Sequence, residues 1–279
     1  MSSPLLLASL LASYAAAETI SLSIERLIIK DAQLPPSWHN LRVVFITDLH
    51  HGPYSSTKRL RQMVHKINKL HPDLILLGGD YLQTHHRSQA TMKKDFHELL
   101  TILSALHQPP YGIYAVLGNH DYVFSEAYNR RCFATIGIRV LVNEGVTLTN
   151  DHHHIRLDGV GDMWYGKPDF ASTHADTTPD TFTILLSHQP NFIDTLTPDD
   201  HVNFVLAGHT HGAQLRFFHY QPIMPHQIAK WEYTVGLIET PQTRMLVSPG
   251  IGNSFPYIRF FSPPKIHLLT FKSAPHWRH

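Results

Sequence analysis

Residues 41–52, LRVVFITDLHHG, hold the pattern on which the fold depends. A largely apolar run, Leu41–Thr47, leads directly into Asp48 and His50. Such a run is typical of a parallel strand buried on both faces, and polar residues at its carboxyl end face the crevice where α/β sheets bind ligands. The stretch therefore predicts a central strand that delivers two polar side chains to a site.

The same arrangement occurs four more times along the chain, each time with a polar residue directly after an apolar run. The segments are GGD at 78–80, GNHD at 118–121, SH at 187–188 and GHTHG at 208–212. Because the carboxyl ends of such strands face one crevice, we expect their polar side chains to lie together. The residues expected there are Asp48, His50, Asp80, Asn119, His120, His188, His209 and His211.

Strand-like and helical patterns alternate through the first half of the chain, and strand-like runs dominate the second half. Two segments have apolar residues at the i, i+3, i+4, i+7 spacing of a helix. The first, behind the cap candidates Ser55 and Ser56, contains Leu60, Met63, Val64 and Ile67, and the second contains Met92, Phe96, Leu99, Leu100 and Leu103. This order of elements predicts a layered α/β domain with more than one sheet.

The composition excludes several classes of protein. With 279 residues, 43% hydrophobic and only 16% charged, the chain is long and apolar enough to bury a core, which excludes a disordered protein. Its single cysteine, Cys132, excludes an intramolecular disulfide framework and multi-cysteine metal sites. The net charge of +1 gives no broad basic field, so no nucleic-acid partner is expected. The sequence indicates no protein partner.

The residue types at the strand ends suit a metal site. Carboxylate, amide oxygen and imidazole are ligands for Mn²⁺, Fe, Zn²⁺ or Mg²⁺, and no thiolate biases the choice. Seven of the eight side chains are too many ligands for one ion. They fit two ions, because one carboxylate can bridge the pair. Each segment alone is commonly a capping turn or a polar loop. All five in one order, each closing a strand, favour a metal site.

Taken in that order, these motifs resemble those of the calcineurin-like metallophosphoesterases. The resemblance runs from about Leu41 to Phe271 and is closest to a bacterial membrane-linked branch of the family. The segments that carry it are ITDLHHG (46–52), YGIYAVLGNHDY (111–122), GVGDMWY (159–165), GHTHGAQ (208–214) and SPGIGNS (248–254). Ala213 stands where that branch usually has a second glycine, which leaves the ligands intact but puts the shape of their loop in question.

The resemblance implies a fold and a pair of metal ions. The fold is a four-layer α/β sandwich of two mixed β-sheets flanked by helices. The first metal would be held by Asp48, His50 and His211. The second would be held by Asn119, His188 and His209, with Asp80 bridging the two. Manganese is the favoured divalent cofactor, and Fe, Zn²⁺ and Mg²⁺ are the alternatives.

The reaction implied by the resemblance is hydrolysis of a phosphodiester or pyrophosphate bond by a hydroxide shared between two metals. His120 would be the catalytic acid, and Asp121 would either orient it or serve only as a turn residue. His51 and Trp164 are candidate substrate contacts, while His85 and His86 are predicted to lie on the surface.

The substrate would be a phosphate-containing small molecule or lipid. The branch includes enzymes that cleave UDP-2,3-diacylglucosamine in lipid A synthesis, and a broad-specificity phosphodiesterase for small or nucleotide substrates is the alternative. A non-catalytic metal-binding scaffold is disfavoured because no expected ligand is missing.

The first residues set the expected location of the protein. LLLASLLASYAAA at 5–17 is apolar but shorter than the roughly 20 residues that span a bilayer. It predicts a peripheral membrane anchor, with a weak secretory signal or a helix packed on the domain as alternatives. We expect an apolar segment and lead-in strand over 1–34 and a metallophosphoesterase domain over 35–279. The expected location is the cytoplasmic side of the bacterial inner membrane.

Overall fold

The computed structural model describes residues 4–175, 177–217 and 230–274. These ranges contain five α-helices and twelve strands. The helices are α1 (Pro4–Ile20), α2 (Thr57–Lys69), α3 (Gln89–Leu103), α4 (Glu126–Ala134) and α5 (Phe170–His174). The strands are β1 (Ser23–Asp31), β2 (Leu41–Ile46), β3 (Leu74–Leu77), β4 (Ile113–Ala115), β5 (Ile138–Val140), β6 (Glu144–Asn150), β7 (His153–Gly159), β8 (Phe182–Leu186), β9 (Phe204–Ala207), β10 (Gly236–Glu239), β11 (Arg244–Val247) and β12 (Lys265–Ser273).

The strands form two six-stranded mixed sheets. The first has the order β1-β12-β2-β3-β4-β5 and the second the order β10-β11-β9-β8-β7-β6. In the first sheet β12 runs antiparallel to β2 and parallel to β1, with Ser23 beside Lys265. In the second sheet β7, β8, β9 and β11 are parallel, and the edge strands β6 and β10 are antiparallel to their neighbours.

Alternating side chains of β2 show how the layers are built. Val43 and Phe45 belong to the core between the two sheets, whereas Val44 and Ile46 belong to the core under the helices. A strand with apolar residues at every position is buried on both faces in this way. On the outer face of the second sheet, Phe192 and Ile193 of a short 3₁₀ segment are part of a third core. The predicted α/β sandwich of two mixed sheets is confirmed.

The two helices predicted from periodicity are present. Ser56 caps α2 by accepting the N–H of Arg59, and Ser88 caps α3 by accepting the N–H of Thr91. The apolar residues that predicted each helix are all buried. The helical pattern is regular because each helix buries one apolar face against the first sheet.

The first helix differs from the others in what it exposes. Most of α1 is exposed, and its exposed large apolar side chains are Leu5, Leu6, Leu7, Leu10, Leu11, Tyr14 and Ile20. Tyr14 packs against Phe260 and Phe261, with ring centroids 5.4 and 5.2 Å apart. Among the described residues, no helix combines the length and the apolar character needed to cross a bilayer.

Candidate metal centre

All eight residues expected at the site follow the carboxyl ends of five parallel strands. Those after β2, β3 and β4 come from the first sheet, and those after β8 and β9 come from the second. The crevice thus lies where the strand ends of both sheets meet. This shared edge brings together side chains from residues 48 to 211 of the chain.

Asp80 lies at the centre of the cluster. Its Oδ2 is 3.2 Å from Nε2 of His188, 3.5 Å from Nε2 of His50 and 4.0 Å from Nε2 of His120. Asp48 is the second buried carboxylate, with Oδ1 at 3.6 Å from Nε2 of His211. Oδ2 of Asp80 thus faces imidazoles from three different loops.

Three groups of side chains bring potential ligand atoms within 4.8 Å of one another. The groups are Asp48–His50–His211, His50–Asp80–His120 and Asp80–His188–His209. The first and third groups contain residues expected to hold the first and the second metal ion, and Asp80 belongs to the third. The second shows that His120 is close enough to touch the same centre.

Buried polar atoms without a hydrogen-bond partner provide a test of whether the cluster could bind a metal. Within the described residues, Oδ1 of Asn119, both ring nitrogens of His50 and Nδ1 of His211 are buried and have no hydrogen-bond partner. Buried polar atoms are normally hydrogen-bonded, so such a group of exceptions requires an explanation. Oxygen and nitrogen donors aimed into one buried cluster fit divalent cations.

The protonation states of the cluster also suit cations. Burial alone would raise the pKa of Asp80, but the imidazoles of His188 and His120 outweigh burial and hold that pKa well below its usual range. Burial lowers the pKa of His50 and that of His209 to about 3. Asp80 raises the pKa of His188 to about 10 against the opposing effect of burial. A proton held by this pair is one that a cation would displace.

The backbone of the ligand loops is held in an unusual conformation. Five of the eight residues have positive φ angles, namely Asp48 at 52°, His50 at 41°, Asp80 at 54°, His209 at 69° and His211 at 53°. This left-handed region costs energy for residues other than glycine, and such residues cluster at functional sites. Ala213 also adopts it, at 58°. The loop thus takes the left-handed geometry at this position with an alanine.

Close approach at the strand ends explains two of the motif glycines. A Cβ on Gly118 would collide with Oδ1 of Asp80, and a Cβ on Gly208 would collide with Oδ2 of Asp48. Hydrogen bonds from outside the cluster then aim the ligands. Nδ1 of His188 lies 2.7 Å from the carbonyl oxygen of Gly78, which leaves Nε2 facing Asp80. Such contacts fix which ring nitrogen can bind a metal.

Asp121 was expected either to orient His120 or to serve as a turn residue, and its contacts are with the backbone. Its buried carboxylate accepts the backbone N–H groups of Asp80, Tyr81 and Gly118, each at 2.8 Å. No hydrogen bond to the His120 ring is present among the described residues. Burial, assisted by Asp80, raises the pKa of Asp121 to about 8. Asp121 therefore joins the loops after β3 and β4, and its effect on His120 is through the backbone.

The side chain that contacts the His120 ring is one that sequence reasoning missed. Oγ1 of Thr84 lies 2.5 Å from Nδ1 of His120. The ring of His85 packs edge-to-face on the other side, with centroids 5.0 Å apart. His85 is exposed, as predicted, and it also lines the cavity. Both residues follow Asp80 in one loop, and nearness in sequence to a ligand is the only signal that could have indicated them.

A cavity of about 980 Å³ opens above the cluster. Its floor includes Asp80, Asn119, His209 and His211, and its apolar rim contains Tyr122, Val123, Trp164, Tyr165, Phe255 and Pro256. Trp164 lies where a substrate contact was expected, with its ring 4.8 Å from that of His209. The cavity thus combines a polar floor with an apolar entrance.

His51 does not belong to this cavity. Its ring is buried beneath the loop, with Nδ1 3.3 Å from the carbonyl oxygen of Ser55 and Nε2 3.4 Å from Oε2 of Glu98. The ring therefore lies outside the cavity in which a substrate contact was expected. The rings of His50 and His51 thus point to different sides of the loop, and His50 faces the site.

Comparison with known proteins places the chain in a family. The sequence profile described as calcineurin-like phosphoesterase matches residues 41–213. The chain is 31% identical over 251 residues to the uncharacterized metallophosphoesterase YkuE of Bacillus subtilis, covering 88% of this chain and 84% of YkuE. It is 28% identical over 274 residues to an uncharacterized metallophosphoesterase of Aquifex aeolicus, covering 95% of this chain and 98% of that protein.

Among solved structures, the phosphopantetheinyl hydrolase of Mycobacterium tuberculosis aligns with a TM-score of 0.47 at 12% identity. The alignment covers 80% of this chain and 96% of that one. The family profile spans more than half of the sequence and contains every strand end of the cluster. The chain belongs to the calcineurin-like phosphoesterase family of metal-dependent phosphoester hydrolases.

Proposed function

We propose that this centre holds two divalent metal ions and hydrolyses a phosphodiester or pyrophosphate bond. Asp48, His50 and His211 would hold one ion. Asn119, His188 and His209 would hold the other, and Asp80 would serve both. The observation that carries the proposal is the position of Asp80 Oδ2 among imidazoles that belong to both groups. Manganese remains the favoured metal, since the donor set of oxygens and imidazoles suits it.

Two cations, when bound, polarise phosphoryl oxygens and lower the pKa of a shared water. The chain's own contribution to bond cleavage centres on His120. Thr84 contacts Nδ1 of this ring, which leaves Nε2 turned towards the cluster, 4.0 Å from Oδ2 of Asp80. From that position Nε2 can deliver a proton to the oxygen that leaves phosphorus. The apolar rim would exclude water from the leaving group.

The substrate we propose is amphiphilic, with UDP-2,3-diacylglucosamine as the specific candidate. Trp164, Tyr165 and Phe255 are 39, 62 and 77% exposed at the cavity entrance and offer an apolar surface next to a phosphate-binding floor. A cavity with convergent polar groups and aromatic walls is typical of small-molecule sites. A broad-specificity phosphodiesterase would use the same polar residues at the floor of the cavity and would not need the apolar residues of its rim.

The substrate proposal is tested by comparing kcat/KM for UDP-2,3-diacylglucosamine with that for the same sugar nucleotide without acyl chains. Burial of only four methylene groups on the rim corresponds to about 3 kcal/mol, so we expect the acylated substrate to be preferred about 10²-fold or more. Equal kcat/KM values, together with rapid Mn²⁺-dependent cleavage of small chromogenic phosphodiesters, would favour the broad-specificity enzyme. Two bound metals without any turnover would identify a scaffold.

We also propose that α1 attaches the protein to a membrane surface. The basic helix α2 lies at the root of α1, where Arg59 Nη2 donates to the carbonyl oxygen of Ser21 at 3.3 Å. Lys58, Arg61 and Lys69 of α2 are exposed. An apolar helix next to exposed cations suits a surface of anionic lipids.

Replacing Leu6 and Leu10 together by Gln should remove most membrane binding and leave catalysis unchanged. Each buried leucine side chain is worth about 1.5–3 kcal/mol, so we expect partitioning to fall about 10²-fold or more. The measurement is flotation with vesicles that contain phosphatidylglycerol. Ser13→Ala is the control, because this exposed hydroxyl bonds only within α1. Equal flotation of the parent and the Leu6→Gln/Leu10→Gln variant would contradict the anchor.

A further inference from the structure

The last turn of α1 is hydrogen-bonded to residues 259–262, which lie more than 200 positions later in the sequence. Glu18 is only 7% exposed, and its carboxylate accepts the backbone N–H of Phe261 at 3.0 Å and that of Ser262. Thr19 Oγ1 accepts the N–H of Arg259 at 2.8 Å. A buried carboxylate that receives two backbone N–H groups is strongly held, because charge-assisted hydrogen bonds are about twice as strong as neutral ones.

The segment 259–262 in turn holds the loop that carries His211. Ser262 Oγ lies 3.2 Å from the carbonyl oxygen of His211 and 3.1 Å from that of Gly212, and it can donate to either. Nη1 of Arg259 donates to the carbonyl oxygens of His211 at 3.4 Å and of Ser262 at 2.9 Å. A chain of hydrogen bonds therefore runs from Glu18 to the backbone of a proposed metal ligand.

Arg259 joins a second loop to the same point. This fully buried guanidinium also donates to Oδ1 of Asn253 at 3.0 Å and to the carbonyl oxygens of Pro249 and Gly252. Between those two carbonyls lies Gly250, where a Cβ would lie 2.7 Å from Cβ of Asp48. The side chain of Arg259 thus holds both the loop that packs on Asp48 and the loop that carries His211.

The loop that carries His211 needs such support from outside. His211, Gly212 and Ala213 have φ angles of 53, 58 and 58°, three left-handed residues in a row. For residues other than glycine that conformation costs about 1–2 kcal/mol each, so it persists only where the surroundings fix it. Besides the local bond from the N–H of Gln214 to the carbonyl of His211 at 3.1 Å, hydrogen bonds from Ser262 and Arg259 hold the carbonyls of this turn from outside the loop.

We propose that Glu18 is a positioning residue for His211, so that the end of α1 completes the metal centre. Glu18 acts through the backbone N–H of Ser262, and the side chain of Ser262 acts on the carbonyl of His211. This inference rests on the proposed role of His211 as a metal ligand. Partners that hold a ligand without touching the metal are typically worth 10–100-fold in metal affinity.

The test measures Mn²⁺ binding to the metal-depleted, full-length protein by calorimetry. Glu18→Ala removes both acceptors, and Ser262→Ala removes the link to His211 without altering the backbone contact with Glu18. We expect each change to weaken Mn²⁺ binding at one site about 10-fold or more. Excess Mn²⁺ should restore kcat, which it would not do if the substitutions simply unfolded the protein. Glu18→Gln keeps one acceptor and should be intermediate.

Two controls separate the possible outcomes. Ser13→Ala alters α1 away from this contact and should leave the Mn²⁺ Kd unchanged. His211→Ala should abolish binding of one Mn²⁺, and if it does not, the proposed metal site itself is wrong. If His211→Ala loses that ion while folded Glu18→Ala and Ser262→Ala keep the parent Kd, only the positioning role is overturned. Should Glu18→Ala not fold, Ser262→Ala decides the question alone.

Discussion

Asp80→Ala should abolish metal-dependent turnover and lower the metal content at both positions of the centre. Its Oδ2 faces His188 at 3.2 Å and His50 at 3.5 Å, so one carboxylate serves imidazoles of both groups. A two-metal site supplies several kcal/mol of charge stabilisation, which corresponds to a fall in kcat of about 10³-fold or more. The measurements are turnover of a chromogenic phosphodiester with Mn²⁺ and elemental analysis of the purified variant.

The matched control for this change is Asp194→Ala. Asp194 is exposed, pairs with Lys230 at 2.6 Å, accepts the hydroxyl of Tyr233 at 2.7 Å and does not line the cavity. Its removal should leave both metal content and kcat unchanged, because exposed ion pairs contribute little. Two full equivalents of metal bound to Asp80→Ala would overturn the proposal that this carboxylate is shared.

His120→Asn should have the opposite pattern, with metal retained and rate lost. A general acid typically contributes 10²–10⁴-fold, so kcat should fall by about that amount on substrates with poor leaving groups. A substrate whose leaving group needs no proton, such as a nitrophenolate, should be affected much less. This difference between substrates distinguishes proton delivery from a general disturbance of the site.

The contact from Thr84 provides a finer check on the same role. Thr84→Val removes the hydroxyl 2.5 Å from Nδ1 of His120 and keeps the shape of the side chain. Its loss of rate should be smaller than that of His120→Asn and should follow the same dependence on leaving group, while Thr84→Ser should restore the rate. If His120→Asn matched the parent on a poor leaving group, His120 would not be the acid.

Local pattern was enough to predict the elements that are buried on a regular face. The periodic residues of α2 and α3 are buried as expected, and the run at Leu41–Thr47 contains β2. β5 and β10 were not predicted. β5 has three residues, and β10 is a four-residue edge strand with alternating partial burial, so neither has a pattern that stands out. Pairing with a neighbour, and not local propensity, defines such strands.

The candidate site likewise contains residues that a local pattern could predict and residues that it could not. Polar residues that directly follow apolar runs could be recognised because strand ends of a sheet converge. Glu18, Thr84 and Arg259 could not, since each contact joins parts of the chain that only the tertiary fold brings together. His51 was expected at the substrate site only because it follows His50, and adjacency in sequence says nothing about the direction of a side chain. Spacing therefore identifies residues that share a strand end, but not those that support them.

The strand order has a consequence for how the protein is made. β12, the last strand, lies between β1 and β2 in the first sheet, with Ser23 beside Lys265. The ribosome must therefore synthesise β12, more than 200 residues after β1, before β1 can pair with it. Until then, the open edges of β1 and β2 are available for pairing with other chains. A nascent polypeptide that stops short of residue 265 would carry every proposed ligand and still lack the strand that joins β1 to β2.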